Sequence, residues 1–554
     1  MKKLYNLLLL PLFYISILAA CTDDEGNYNY MSQEEIGVIK IDTIGMDSEQ
    51  VKLLITVSMN AGDTIVFDPH VDYKYKERLR YRWFYLTLKE GQYKPVLEGN
   101  KQVYPPADTI ARTKKLDWVC DLKPGMYRFY FMAEDTISGA RNFMQINETF
   151  ISVNQSGALR GLYLLTETID GNTDIEVLNS QLQFITGFVD AQYFHYYSKK
   201  TGRTLPGKPL FIRPSSDGKS KKAYMVATDQ NMWRLNSVGL QTMNEWNSMF
   251  YETPTVFNPQ NNFIFGEAGN TGEFLINDGK LHVLYTDKAN DLKFSAPIAG
   301  NYKASDFLMG KTKTNWNSLA GAIGADQVIY DKQNHCFRPY FSKASSISSF
   351  GTTNIDAILD ANTLPADPIV IMRGTGNSTY AILNDNGTYW LHRYLFYNVK
   401  DDGDLSYLGS STSPKTDLSG CSEIANAKYF ACSNAANAFY YATDKAVYSF
   451  SPTSGNSASR LVYSCSANET VTTIHVPGVG GWPTGSCMFY IALWDSNKQE
   501  GKLLEFEMDH TNGIPTTQYT GVAPWNNMIK RENPTITTGW GKIISICSLI
   551  EQNE

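Results

Sequence analysis

One short, aromatic-rich stretch returns seven times between Tyr163 and Phe506, and it constrains the fold more than any other feature of the chain. In order, the cores are Tyr163-Leu164-Leu165-Thr166, Tyr224-Met225-Val226-Ala227, Phe274-Leu275-Ile276, Val328-Ile329-Tyr330, Tyr380-Ala381-Ile382-Leu383, Phe439-Tyr440-Tyr441-Ala442 and Phe489-Tyr490-Ile491-Ala492. Their starts lie 61, 50, 54, 52, 59 and 50 residues apart. Several copies continue into a polar turn and an alternating strand, as where Asn277-Asp278-Gly279-Lys280 leads to Leu281-His282-Val283-Leu284-Tyr285. A period of about 50 residues built only from short strands signals a radial β array with blades of about four strands. The expectation is an all-β chain whose residues 159–554 form a seven-bladed β-propeller, although no copy carries a fixed signature such as a Trp-Asp pair.

Residues 35–153 read as a separate β-sandwich of the immunoglobulin type. Val51–Val57 and Asp63–Phe67 are strand-like, and Leu79–Tyr85 alternates with Trp83 turned inward. Pro124-Gly125 opens the clearest strand, which alternates through Asp135, and Phe150–Val153 closes the set. About 100 residues of short strands with a Trp in a middle strand fit such a sandwich. The polar run Asn154–Leu159 marks the boundary between the two domains.

The first 34 residues stand outside both domains. Lys2 and Lys3 precede a mostly apolar run from Leu4 to Leu18, so residues 1–20 read as a signal peptide. Leu18-Ala19-Ala20-Cys21 resembles a bacterial lipobox, which implies acylation of Cys21 and anchoring in the outer membrane by lipid. Residues 21–34 form a tether, and Thr22-Asp23-Asp24-Glu25-Gly26 within it resembles the export signal of Bacteroidota surface lipoproteins, implying display on the cell surface. The Tyr81-Arg82-Trp83 strand and the strand from Gly125 to Glu134-Asp135 resemble the PKD-like domain. Together with Cys21 to Tyr30 and the entry Gly161–Glu167, the chain resembles the PKD-like family of Bacteroidota lipoproteins. That resemblance implies a surface accessory protein associated with a TonB-dependent transporter and its substrate-capturing lipoprotein. It brings no catalytic residues with it.

Net charge is −7, and −9 once Lys2 and Lys3 leave with the signal peptide. This acidic balance argues against nucleic acid, which calls for a basic footprint. After Cys21, seven cysteines remain: Cys120, Cys336, Cys421, Cys432, Cys465, Cys487 and Cys547. They are odd in number and form no C-x-x-C pair, so neither a zinc site nor a dense disulfide framework is expected. One or two bridges stay open, with Cys421 and Cys432 the closest pair. The seven histidines form no ligand spacing; His282 and His392 read as strand residues, and His195 lies in an aromatic cluster that either lines a pocket or fills a blade. There is no G-x-S-x-G elbow and no P-loop, so no cofactor or metal is expected. Asp385-Asn386-Gly387 and Asp401-Asp402-Gly403-Asp404 lack the calcium ligand ladder and read as turns. Asp-Thr-Ile, at Asp42, Asp63, Asp108 and Asp135, resembles a Bacteroidota O-glycosylation acceptor or is a chance recurrence.

One constellation points to binding. Trp246-Asn247, Trp316-Asn317 and Trp525-Asn526 repeat a Trp-Asn-x-apolar pattern, and Trp482 sits in the glycine-rich run Gly478–Pro483. An aromatic face beside an amide suits a sugar ring or an extended peptide. The competing reading is that each Trp packs under its own blade, and offsets of 22, 42 and 36 residues from the strand starts put the three Trp-Asn pairs at different structural phases. The expectation is a non-enzyme that captures a glycan or peptide nutrient or supports a neighbouring transporter. A glycan lyase or hydrolase with its site in the central channel, and a purely structural interaction module, are the alternatives.

Overall fold

A computed structural model describes residues 37–548, apart from 47–57, 61–63, 89–95, 99–100, 104–106, 124, 155–160, 181, 183–190, 217–222, 238, 268–269, 286–290, 309–326, 342, 352–358, 375–377, 397–407, 410–413, 434–435, 453–455, 478–487, 510–512 and 517–531. Cys21, the signal peptide and the tether therefore lie outside the described residues. The chain divides into two compact units, and the second begins its main run at Ser152.

In the first unit the long strands Leu79–Leu88, Gly125–Asp135 and Arg141–Asn154 lie in one sheet with Ala107–Ala111 at its edge. Thr64–Phe67 pairs with Leu116–Val119 in a second, two-stranded sheet. Period-two alternation turns Trp83, Phe129 and Phe131 into the core, and Trp83 meets Phe67 of the other sheet edge-on at 5.6 Å. Tyr73 closes the far end by donating to the buried carboxylate of Asp135 at 2.5 Å.

The second unit is propeller-like. Seven mainly antiparallel sheets follow one another along the described residues, here numbered I to VII. The recurring stretch of the sequence is the second strand of six sheets, Leu162–Glu167, Ala223–Thr228, Asn270–Asn277, Thr379–Asp385, Phe439–Ala442 and Met488–Asp495, and the first of the two described strands of sheet IV, Gln327–Asp331. Each second strand pairs with a third across a turn of Asp, Asn or Gly, as at Asp385-Asn386-Gly387, where Asn386 and Gly387 both take positive φ. The inner strands are Pro209–Ser215 (II), Pro259–Glu267 (III), Pro368–Arg373 (V), Tyr429–Cys432 (VI) and Glu469–His475 (VII). The inner strand of sheet I comes from the far end of the chain: Lys542–Cys547 pairs antiparallel with Leu162–Glu167.

A second strand has a sheet neighbour on each edge and another sheet on each face, so its side chains are buried on both sides and the run reads as continuously apolar. Successive sheets share a buried cluster at each seam, and a final cluster joins Met488, Tyr490 and Leu503 of VII to Leu162, Leu164 and Leu178 of I. Aromatic pairs bridge several seams: Tyr163–Tyr224 at 4.2 Å, Phe337–Tyr394 at 4.9 Å, Tyr380–Phe439 at 4.6 Å and Tyr440–Phe489 at 4.2 Å. Each such pair adds about 0.5–1.5 kcal/mol to the area it buries, which is where much of the chain's aromatic content goes.

Candidate functional site

The inner strands hold the features that packing alone does not explain. Pro209–Ser215 packs against Lys542–Cys547 on one side and Pro259–Glu267 on the other; Tyr429–Cys432 bridges Pro368–Arg373 and Glu469–His475 in the same way. Proline opens three of these strands, at Pro209, Pro259 and Pro368. Proline fits because the inner strand is a sheet edge, where a missing N–H costs no ladder bond. Immediately afterwards the ladder slips by one residue. Leu210, Gln260 and Ile369 are skipped in this way, and Thr472 and Ile544 are skipped at the matching places in VII and I. A one-residue bulge kinks a strand and re-aims a side chain, and bulges concentrate beside working sites. Leu210 and Ile369 are 42% and 47% exposed, in strands whose neighbours are largely covered.

Beyond the bulge, Arg213 ties three inner strands together. Its Nη1 donates to Ser545 Oγ at 3.1 Å and to Ile212 O at 2.9 Å, and its Nε donates to Asn261 Oδ1 at 3.2 Å. Asn261 in turn donates to Asp306 O at 2.8 Å.

An inner strand and the turn between second and third strands share one end of the sheet, because neighbouring strands run antiparallel. Exposed large apolar side chains at this end are Ile169 in the turn of sheet I, Leu210 and Ile369 at the bulges, and Val256 just before Pro259, whereas Met243, Leu461 and Ile536 are exposed on outer strands and Tyr251 beside Asp291. Its carboxylates, by contrast, are held by the fold. Asp229 accepts the N–H of Lys208 at 2.7 Å, and Asp331 accepts that of Lys303 at 3.0 Å, each joining a turn to the connection that enters a sheet. Burial pushes Asp331 upward, but Lys303 N–H, Asn334 and Arg338 hold its carboxyl below the usual range on balance. His335 Nδ1 lies 2.7 Å from Asp367 Oδ1, and Tyr330 donates to the same oxygen, in another tie of this kind between sheets IV and V.

Several ionisable groups elsewhere serve the fold. Asp174 and Glu176 are buried in sheet I and accept backbone N–H groups from Ser198 and from His195 and Gly541 respectively. His282 is buried with Nδ1 3.0 Å from Ser295 O, and burial pushes His392 down to about 4. Among the described residues no group of three His, Cys, Asp or Glu side chains is placed to hold a metal ion.

The tryptophan reading is corrected at one position. Trp246 is only 6% exposed, with Phe250 and Phe257 edge-on to its ring at 4.7 and 4.8 Å, so it fills the seam between II and III rather than offering a face to a ligand. It opens a one-turn 3-10 segment whose end, Met249, is also buried, which forces the ring inward; Asn247 between them is exposed. Trp316, Asn317, Trp482, Trp525 and Asn526 lie outside the described residues, as does Asp401–Asp404. No disulfide joins any two of the six described cysteines, Cys421 and Cys432 included, and burial pushes Cys421 up to about 12. The bulges escaped the sequence reading, although the prolines at 209, 259 and 368, which lie 15, 15 and 12 residues upstream of a recurring core, are their visible signal.

Residues 21–209 match the PKD-like family. Among curated proteins none matches the sequence. Solved structures similar to the chain are propellers or propeller-like. One is a quinonprotein alcohol dehydrogenase-like protein from Bacteroides thetaiotaomicron, 10% identical, covering 87% of this chain and 96% of its own, with a TM-score of 0.33. Another is the β-propeller domain of Cps50 (Swd1) from Myceliophteria thermophila, 10% identical over 60% of this chain and 93% of its own, with a TM-score of 0.34. The WD40 domain of SCAP from fission yeast is 9% identical over 60% and 74% of the two chains, with a TM-score of 0.32.

Proposed function

We propose that the chain is a cell-surface lipoprotein in which a PKD-like sandwich carries a seven-bladed propeller, and that the propeller is a non-catalytic binding module. In this reading Cys21 supplies the lipid anchor in the outer membrane. The end at which the inner strands begin captures a glycan or peptide nutrient and works beside a TonB-dependent transporter with its substrate-binding lipoprotein. The observation that carries the binding face is the exposure of Ile169, Leu210, Val256 and Ile369 at that one end, two of them lifted by bulges. Apolar side chains exposed together mark interaction surfaces on folded proteins. The neighbouring carboxylates favour binding over hydrolysis, because Asp229 and Asp331 are engaged by backbone N–H groups.

Two measurements test this. Changing Leu210 and Ile369 to Ser should weaken retention on glycan and peptide arrays about tenfold or more while leaving the thermal midpoint within a few degrees. Silence of the wild-type protein on both arrays at high concentration would remove the ligand. Changing Cys21 to Ala should release the protein from membranes and from protease shaving of intact cells. Turnover of a polysaccharide by the purified chain would replace the binding reading with the enzymatic one.

A further inference from the structure

The seam that closes sheet VII onto sheet I contains an acid that the equivalent seam elsewhere pairs. Met225 in sheet II and Tyr490 in sheet VII hold the same place, two residues before the residue that flanks the bulge (Ala227 and Ala492). Their ladder partners on the third strand are Arg234 and Glu505. At the seam of II with III, Arg234 meets Glu273, Nη2 to Oε2 at 2.9 Å, with both side chains fully buried. Ser215 and Asn262 satisfy the other Glu273 oxygen at 2.7 and 2.9 Å, and Arg234 donates to Leu292 O at 2.8 Å. In sheet I the place of Glu273 belongs to Leu162, three residues before the bulge-flanking Leu165. Glu505, 2% exposed, therefore looks across at leucine. Among the described residues its Oε2 has no hydrogen-bond partner, and Ser180, which follows the third strand of sheet I, is the side chain that bonds the acid.

We propose that this closing seam is a proton-responsive latch, in which Glu505 seated as a neutral acid against Ser180 keeps the sheets closed and its ionisation loosens them. The contact joins residues from opposite ends of the second unit, and the Leu162–Glu167 to Lys542–Cys547 ladder beside it is the one that completes sheet I. The polar groups around Glu505 are few. From sheet VII they are Tyr490 beside it, His475 beyond Tyr490, Thr535 on the outer strand and Glu507 two residues along. Sheet I faces it with Ser180, Leu162, Leu164 and Leu178, and the closing strand adds Ile543 and Ile546. Among the described residues none of them is a cation. At the other end of the same seam Glu176, with Asp174 and His195 nearby, accepts Gly541 N–H at 2.8 Å, and burial raises its carboxyl as well.

The direction in pH follows from burial. Desolvation pushes Glu505 up to about 7, against an ordinary value of 4.5. Between those values the closed seam holds a proton that an opened seam releases. Closure is thus fully favoured below the lower value and weakens as pH rises to the upper one, by about tenfold in the opening equilibrium per pH unit, and then levels off.

Hydrogen exchange on the whole chain reads this directly. After correction for the chemical exchange rate, protection of Leu162–Glu167 and Lys542–Cys547 should fall by about tenfold to a hundredfold from about pH 5 to about pH 8. E505Q and E505L should each lose most of that slope, the second filling the space with an apolar side chain should the first fold poorly. E273Q, at the paired seam, should lower protection in sheets II and III and leave the slope at the closing seam intact. Protection that does not change with pH in the wild type, or a slope that survives both Glu505 variants, overturns the latch.

Discussion

Arg234 and Glu273 show what a buried charge requires. Removing two ions from water costs several kcal/mol each, and their attraction repays that only when the remaining hydrogen-bonding groups are also satisfied. Here Ser215, Asn262, Asn244 and Leu292 O supply those bonds, and the Arg234 guanidinium lies 5.5 Å from the Phe294 ring. Breaking one partner leaves the other stranded. Arg234→Met should therefore destabilise the second unit by about 3–5 kcal/mol, whereas the double change Arg234→Met with Glu273→Leu should recover most of the loss. Urea unfolding of the three variants separates the outcomes, and a double variant as unstable as the single one would show that the pair is not the unit that matters. None of this was legible in the sequence. Arg234 follows Trp233 in a strand that reads as alternating, and Glu273 precedes a recurring core by one residue, so both look like solvated positions until the next sheet is placed against them.

At the scale of the element, the sequence was most readable where the structure is most buried. Second strands are covered on both faces, so their apolar runs recur at a visible period; inner strands are edges with a bulge, and their mixed exposure hides them. The tryptophans were legible as a motif but not as a place, since Trp246 is turned inward by a 3-10 turn that spacing does not reveal. Glycines at the joins carry information of another kind. Gly501, on the third strand of sheet VII, has the carbonyl of Gly541 where a Cβ would sit, and a backbone oxygen cannot swing aside. Gly387, in a hairpin turn, has open space around it and a positive φ. G501A should cost about 1–3 kcal/mol or more through overpacking, and G387A about 1 kcal/mol through backbone strain alone. Equal midpoints for the two variants in denaturant would contradict this difference in cause.

For the second unit as a whole, stability rests on seams rather than on one core, because each sheet is covered only by its two neighbours. Such an array tolerates no free end: an uncovered sheet exposes an apolar face and an unpaired strand edge at once. The chain meets this by building sheet I from both of its ends, so that separating them uncovers Tyr163 and Leu165 toward sheet II and Leu162 and Leu164 toward sheet VII. Ending the chain after Gly541 removes Lys542–Cys547, the pairing partner of Leu162–Glu167, together with buried Ile543, Ile546 and Cys547. The shortened chain should lose cooperative unfolding and self-associate through the bared edge of Leu162–Glu167. Adding the missing strand in trans as a peptide should restore a single transition, since its hydrogen bonds and its apolar face are both supplied by the rest of the unit. Calorimetry with light scattering distinguishes the cases, and a shortened chain that stays monomeric with an unchanged transition would show that the seams hold without the closing strand.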